Sequence, residues 1–239
     1  MRRIFIFIFF SGCTHTPIQY GGEESVIVIH GFGRRAISMS RLANEIHQAG
    51  YEVRNVHYES INRNLNDIKK EVFEKFSQYI SSNPNKKVHF VGHSLGGLLV
   101  RAYLDENKIN NLGVVILMGV PNKGTRLVNQ YEDRWYFSWL GPTVFELGVG
   151  NSSFLETLKA PYYTVGVIAG SKPYSNRYSD YLEGAHDGLI TVESAKLEGM
   201  HDFIEMDVNH SEMKRDSRVI EQVIHFLKNS RFKKNPESK

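Results

Sequence analysis

One serine in this chain is hemmed in by small residues in a way that bears on chemistry. In "VHFVGHSLGGLLVRAYL", Gly92, Ser94 and Gly96 form Gly-x-Ser-x-Gly, and Gly97 follows. A serine hydroxyl attacks a carbonyl poorly until a base takes its proton. A histidine base in turn needs a carboxylate to fix its tautomer and to stabilise the imidazolium. The reaction such a trio supports is acyl transfer through a covalent acyl-serine, and its tetrahedral intermediate needs N–H donors around the oxyanion. Ten histidines and 26 acidic residues are present, so the partners of Ser94 have to be found by position.

The elements that would position them alternate along the chain. "SVIVIH" reads as a fully buried strand, "AISMSRLANEIHQAG" as a helix closing on Gly50, "YEVRNVHY" as a strand, and "LNDIKKEVFEKFSQYI" as an amphipathic helix with Ile68, Val72, Phe73, Phe76 and Ile80 on one face. "KVHFVGH" is a strand, "LGGLLVRAYLDEN" a helix and "LGVVILMGV" an apolar strand. From Pro121 to Pro161 no strand signal appears. "YYTVGVIAGS", "DFIEMDVNH" and the helix "SRVIEQVIHFLKN" complete the pattern. Strands alternating with helices predict right-handed crossovers and a parallel sheet covered on both faces, an α/β fold. Ser94 then falls at a sharp turn from strand to helix, where flanking glycines let the two approach closely and a strained backbone lifts the hydroxyl from the sheet's carboxyl edge.

In this architecture the acid and then the histidine follow the serine, on loops at the same edge. His210, after the strand "DFIEMDV" and before the last helix, ranks first. His225 lies on a helix, His89 inside a strand, His57 at the end of an earlier strand, and His201 at the opposite edge. Asp187 in "GAHDGLITVESAKL" is the preferred acid, with Asp180 and Glu183 as rivals in the same loop; Asp207 lies too close to His210 and Asp202 at a strand start. His186 neighbours the preferred acid. The N–H of Leu95 supplies one oxyanion donor, and the glycines of His30-Gly31-Phe32-Gly33 let the N–H of Phe32 supply another. His30 itself reads as a hydrogen-bonding support beneath that loop.

Taken in order, "HGFG", "GHSLGG" and "HDGLITVESAKL…VNH" resemble the α/β-hydrolase superfamily, and more narrowly its bacterial lipase- and esterase-like members. The resemblance runs from about Val26 to Phe226. It implies a compact, mostly parallel sheet of about six strands with helices on both faces and a cap insertion. It also implies Ser94, Asp187 and His210 as nucleophile, acid and base, with Phe32 and Leu95 as oxyanion donors. The usual opening antiparallel pair of strands has no room between Cys13 and Ser25. The implied activity is hydrolysis of carboxylic esters, with lipid or other acyl esters as substrates. The same machinery serves an acyltransferase, thioesterase or amidase, and a non-catalytic binding protein on this fold is the other class.

The insertion, about 122–160, carries "YEDRWYFSWLGPTVFELG". Its aromatic residues either wall an acyl pocket, with Trp135, Phe137 and Trp139 touching substrate, or pack a small core of the cap's own. Trp135 and Trp139 are four apart and would share a helix face. "NKGTR", Asn122 to Arg126, starts the cap near the catalytic edge.

The first line sets localisation. "MRRIFIFIFFSGC" has Arg2 and Arg3 before an apolar run, Ile4 to Phe10, too short to span a bilayer as a helix. Phe10-Ser11-Gly12-Cys13 resembles the bacterial lipoprotein cleavage box, which predicts a signal peptide over 1–12, one domain over 13–239, and an exported lipoprotein held at the cell envelope by lipidated Cys13. A buried strand is the other reading of that run. Cys13 is the only cysteine, so no disulfide forms within the chain.

With 239 residues and a formal charge of +3 from 29 basic and 26 acidic side chains, no general basic field points to nucleic acid. The basic end "KNSRFKKNPESK" reads as a solvated tail. No His-Glu-x-x-His, cysteine pair, acidic calcium loop or dinucleotide fingerprint occurs, so no metal or cofactor is expected.

Overall fold

Each alternating segment forms the element its periodicity predicts. The computed structural model describes residues 23–135, 137–150, 153–175 and 178–234. Six strands, β1 (Glu24–Ile29), β2 (Glu52–Val56), β3 (Lys87–His93), β4 (Leu112–Met118), β5 (Val165–Gly170) and β6 (Asp202–Met206), pair in parallel in the order β2-β1-β3-β4-β5-β6. The helices are α1 (Ser40–Gln48), α2 (Leu65–Ser81), α3 (Leu95–Glu106), the short α4 (Arg126–Tyr131), α5 (Ser153–Thr157) and α6 (Val192–Ala195), and α7 (Ser217–Asn229). The signal segment, Cys13 and the last five residues of the basic end lie outside the described residues.

The four central strands are apolar nearly throughout because both faces are covered. Ile27, Ile29, Phe90, Val115 and Val167 pack toward α2 and α3, while Val26, Val28, Val91, Ile116 and Ile168 pack toward α1 and α7. On the first face the Phe76 ring meets Phe90 and Tyr103 edge-on at 5.3 and 5.2 Å, a geometry worth about 0.5–1.5 kcal/mol per pair beyond the area buried. Helix starts follow local chemistry. Asn64 caps α2 by accepting from the Asp67 N–H at 2.8 Å, and Asp216 caps α7 through the N–H groups of Arg218 and Val219.

From β1 the chain steps to β2 on one side, then returns to place β3 on the other side of β1. The loops leaving the carboxyl ends of β1 and β3 therefore diverge, opening a crevice where an α/β sheet habitually binds ligands. Between β4 and β5 runs the cap, which has no strand among the described residues. It consists of α4, 3-10 turns at Phe137–Leu140 and Pro142–Leu147, and α5. Trp135 lies before the first of these turns, so it and Trp139 do not share an α-helical face; their rings instead meet edge-on at 5.0 Å.

Both ends of the cap are tied to α3. Arg101, 3% exposed, donates from Nη1 to Asn122 Oδ1 at 3.0 Å and from Nη2 to the Lys159 carbonyl at 3.2 Å. Asn122 Nδ2 continues the link to the Ala195 carbonyl at 2.7 Å. No helix among the described residues is long and apolar enough to cross a membrane.

Candidate active site

Ser94 stands between β3 and α3 with φ 53° and ψ −128°, a conformation that costs a residue bearing a Cβ about 1–3 kcal/mol. The surroundings hold it there. Its N–H donates to the Met118 carbonyl at 3.0 Å, and the Gly97 N–H donates to the Ser94 carbonyl at 2.9 Å. A Cβ on Gly92 would stand 2.5 Å from the Gly97 Cα, and one on Gly96 would overlap the His30 carbonyl. The glycines of the motif are thus the contact surface between strand, helix and the loop after β1. Leu95 is the first residue of α3, so its N–H has no acceptor within the helix and sits at the helix's positive end.

Asp187 and His210 come together at the same edge. His210 Nδ1 and Asp187 Oδ2 are 2.7 Å apart, with Asp187 2% and His210 7% exposed. The other Asp187 oxygen accepts from the N–H groups of Leu189 at 2.9 Å and Ile190 at 2.7 Å. The backbone joins the two residues as well, the His210 N–H donating to the Asp187 carbonyl at 2.9 Å. An isolated antiparallel bridge between His186 and Thr191 pinches the Asp187 loop into a rigid turn.

The rival acids are engaged elsewhere. Glu183 pairs with Arg126 on the surface, Asp207 with Lys172, and Asp202 accepts from the Phe203 and Phe232 N–H groups. Asp180 has no contact with His210 among the described interactions.

Two residues that sequence reasoning passed over complete this arrangement. Gly119, at φ +55° after β4, lies so close that an added Cβ would be 3.1 Å from His210 Nδ1 and 3.2 Å from Asp187 Oδ2. His93, immediately before the nucleophile, places Nε2 3.0 Å from the His210 carbonyl and its ring 4.7 Å from the His210 ring. A carbonyl can only accept, so Nε2 carries the proton and Nδ1 keeps a bare lone pair, with no partner among the described residues. Burial first, and then the nearby His210 and Lys214, push the His93 imidazole well below the ordinary histidine range, so it is neutral. Its place inside "GHSLGG" was the one available signal.

The loop after β1 lies against the nucleophile: a Cβ on Gly31 would be 2.8 Å from the Ser94 Cβ. His30 supports this loop from below. Its Nε2 accepts from the Tyr58 N–H at 3.3 Å, which leaves Nδ1–H to donate to the Gly31 carbonyl at 2.9 Å. The Tyr58 ring stacks on it at 4.4 Å, and burial lowers the His30 pKa. The Phe32 N–H belongs to the same trans peptide as the Gly31 carbonyl and points the opposite way. His30 thereby sets the direction of the Phe32 N–H.

Ser94 and His210 both face a cavity of about 700 Å³. Leu127, Val128, Phe137, Leu140, Val144 and Leu147 of the cap give it an apolar wall, and Phe32 lines it from the β1 loop. Of the three aromatic residues expected at substrate, only Phe137 lines this cavity. Trp135 and Trp139 are 71% and 66% exposed and lie outside its lining; Trp135 precedes the 3-10 turn, and Trp139, two residues after Phe137 within it, falls on a different side from Phe137. From "NKGTR", Thr125 reaches the cavity, whereas Asn122 is held by Arg101, Lys123 by Glu193 and Arg126 by Glu183.

Comparison with known proteins agrees with the fold. The family model described as palmitoyl protein thioesterase matches residues 25–182. Among solved structures, the mature form of the Bacillus licheniformis lipase BlEst2 superposes with a TM-score of 0.68 at 16% identity, covering 88% of this chain and 93% of that one. A lipase-esterase related protein from Clostridium acetobutylicum gives a TM-score of 0.59 at 14% identity, over 88% of this chain and 95% of its own. A metagenomic carboxyl esterase gives 0.55 at 14% identity, over 82% and 68%. No curated protein matches the sequence significantly.

Proposed function

The chain belongs to the palmitoyl protein thioesterase family of α/β-hydrolases, and we propose that it is a serine hydrolase of acyl esters working through Ser94, His210 and Asp187. One observation carries the reading. A buried histidine–carboxylate pair 2.7 Å apart opens onto the same largely apolar cavity as a serine held in a strained turn.

With Nδ1–H donated to Asp187, His210 keeps a bare lone pair on Nε2, in the cavity that Ser94 also lines. Ser94 Oγ attacks the acyl carbon as its proton passes to Nε2. The oxyanion takes hydrogen bonds from the N–H groups of Leu95 and Phe32, the second oriented by His30. His210 then returns the proton to the departing oxygen or sulfur, leaving an acyl-serine. A water molecule, deprotonated by the same imidazole, releases the acid. Asp187 stabilises the transient imidazolium, and the apolar cap wall receives the acyl chain.

Whether the scissile atom is oxygen or sulfur is a matter of the leaving group, and the family match favours including thioesters. The test is a series of p-nitrophenyl esters from acetyl to palmitoyl, with matched acyl thioesters, measured on wild type, Ser94→Ala and His210→Ala. Hydrolysis lost in both variants is the expected result. A folded wild type inactive on every ester and thioester refutes the reading.

Attachment to a bacterial membrane through Cys13 is part of the same proposal and rests on the Phe10-Ser11-Gly12-Cys13 box alone. Metabolic labelling with an alkynyl fatty acid, lost in Cys13→Ser, tests it.

A further inference from the structure

The cavity beside Ser94 is apolar on the cap side but carries two cations elsewhere. Lys214 and Arg34 both line it. Lys214 is 4% exposed, its Nζ donating to the Ser211 carbonyl, and neither Lys214 nor Arg34 has a carboxylate partner among the described residues. A buried ammonium without a carboxylate partner is costly, and an anion would offset that cost. Arg34 adds to the field. Burial, then Arg34, then Arg215 lower the Lys214 pKa to about 8, with Glu212 acting in the opposite direction, so the ammonium is charged at neutral pH.

The position of these cations relative to the reaction is fixed by the chain. Ser211 and Lys214 follow His210 in one compact turn, in which the Met213 N–H donates to the Asn209 carbonyl at 3.1 Å. His210 has to hand its proton to the departing atom, so the leaving group lies against His210 and next to this turn. The acyl chain has its own apolar wall. The charge therefore addresses the other half of the substrate.

We propose that the leaving alcohol of the substrate carries a phosphate group, bound by Lys214 and Arg34. This rests on the serine-hydrolase reading above. Two neighbouring cations match a dianion, and the Arg34 guanidinium supplies the forked donors that phosphate oxygens accept. The phosphate is untouched by the reaction: the ester C–O bond breaks, the alcohol oxygen takes the proton from His210, and water supplies the hydroxyl of the released acid.

The test is a ratio. Turnover of 1-hexanoylglycerol 3-phosphate is compared with that of 1-hexanoylglycerol in solution, and turnover of dioleoylphosphatidic acid with that of dioleoylglycerol in vesicles of a diether phosphatidylcholine, which offers no ester bond of its own. Wild type is expected to prefer the phosphorylated partner at least about tenfold in kcat/KM, falling toward unity in Lys214→Met and in the exposed-site variant Arg34→Gln. Preference within the soluble pair assigns the phosphate to a soluble alcohol; preference confined to vesicles assigns it to a lipid headgroup. Equal turnover of phosphorylated and neutral esters overturns the inference and leaves the hydrolase reading standing. Should no ester be cleaved, calorimetry with octyl phosphate on Ser94→Ala decides independently: binding lost on adding Lys214→Met supports the subsite, and no binding overturns it.

Discussion

Asp187→Asn keeps the shape of a side chain that is 2% exposed while removing its charge. Asp187 Oδ1 accepts from the N–H groups of Leu189 and Ile190 at 2.9 and 2.7 Å, so the asparagine keeps its carbonyl oxygen there and turns its NH2 toward His210 Nδ1. The imidazole must then accept at Nδ1 and carry its proton on Nε2, the nitrogen assigned to take the Ser94 proton. A base in the wrong tautomer costs about 10⁴ in kcat, equivalent to about 5.5 kcal/mol of barrier. Stability should change little, because both backbone donors keep their acceptor. Asp187→Ala makes a useful contrast: it removes the same chemistry but also strands the buried Ile190 N–H, at a further cost of about 1–3 kcal/mol in folding. Steady-state hydrolysis of p-nitrophenyl butyrate, run beside thermal unfolding, separates the two variants. If Asp187→Asn retains more than about a tenth of wild-type kcat, the tautomer reasoning is wrong and Asp180 or Glu183 becomes the acid to test.

Gly119→Ala places a Cβ at φ +55° and within 3.2 Å of both His210 Nδ1 and Asp187 Oδ2, so kcat should fall by roughly tenfold or more with about 1–2 kcal/mol of destabilisation; unchanged turnover would show that the pair tolerates being pried apart. Leu140→Trp fills part of the cap wall and should move the preferred acyl chain of p-nitrophenyl esters to shorter lengths; an unmoved optimum would place the acyl chain elsewhere. Lys214→Met should stabilise the protein. The lysine's folded pKa of about 8 lies below its ordinary 10.5, so its destabilising effect is full below pH 8 and is relieved as pH rises through 8 to 10.5. The gain, up to about 3 kcal/mol at pH 6–7, should shrink across that window in urea titrations, and a gain independent of pH would contradict it.

The sheet was legible because its signals are local. Runs such as "SVIVIH" and "LGVVILMGV" are buried on both faces, and Ile68, Val72 and Phe76 recur at helical spacing, so each segment declares its type without reference to the rest. The placement of Asp187 and His210 was legible through chain order, as both follow strands at one sheet edge. What escaped were contacts between segments distant in sequence. Gly119 approaches the His210–Asp187 pair from a third strand, and His93 contacts a carbonyl 117 residues away. Lys214 reads as an ordinary surface lysine before α7 until the packing buries it. Bulk and aromaticity in a cap suggest contact with substrate, but exposure depends on where each residue falls: Trp135 precedes the 3-10 turn, and Trp139 lies two residues past Phe137 within it, on another side.

Arg101 has a consequence for how this molecule opens. Because one guanidinium holds the residues at both ends of the cap, the loop is closed at its base by the same helix that follows Ser94. The cap's own helices are a single turn or two and contribute little cooperative hydrogen bonding, while the strands beneath them are buried on both faces. Amide exchange should therefore divide sharply: the span from α4 to the second 3-10 turn should exchange through frequent small openings, and Asn122, Lys159 and the sheet only in rare, near-global ones. Substrate entry then requires no hinge at the cap's roots. The middle loosens while the anchor stays shut, and the nucleophile's helix feels none of it.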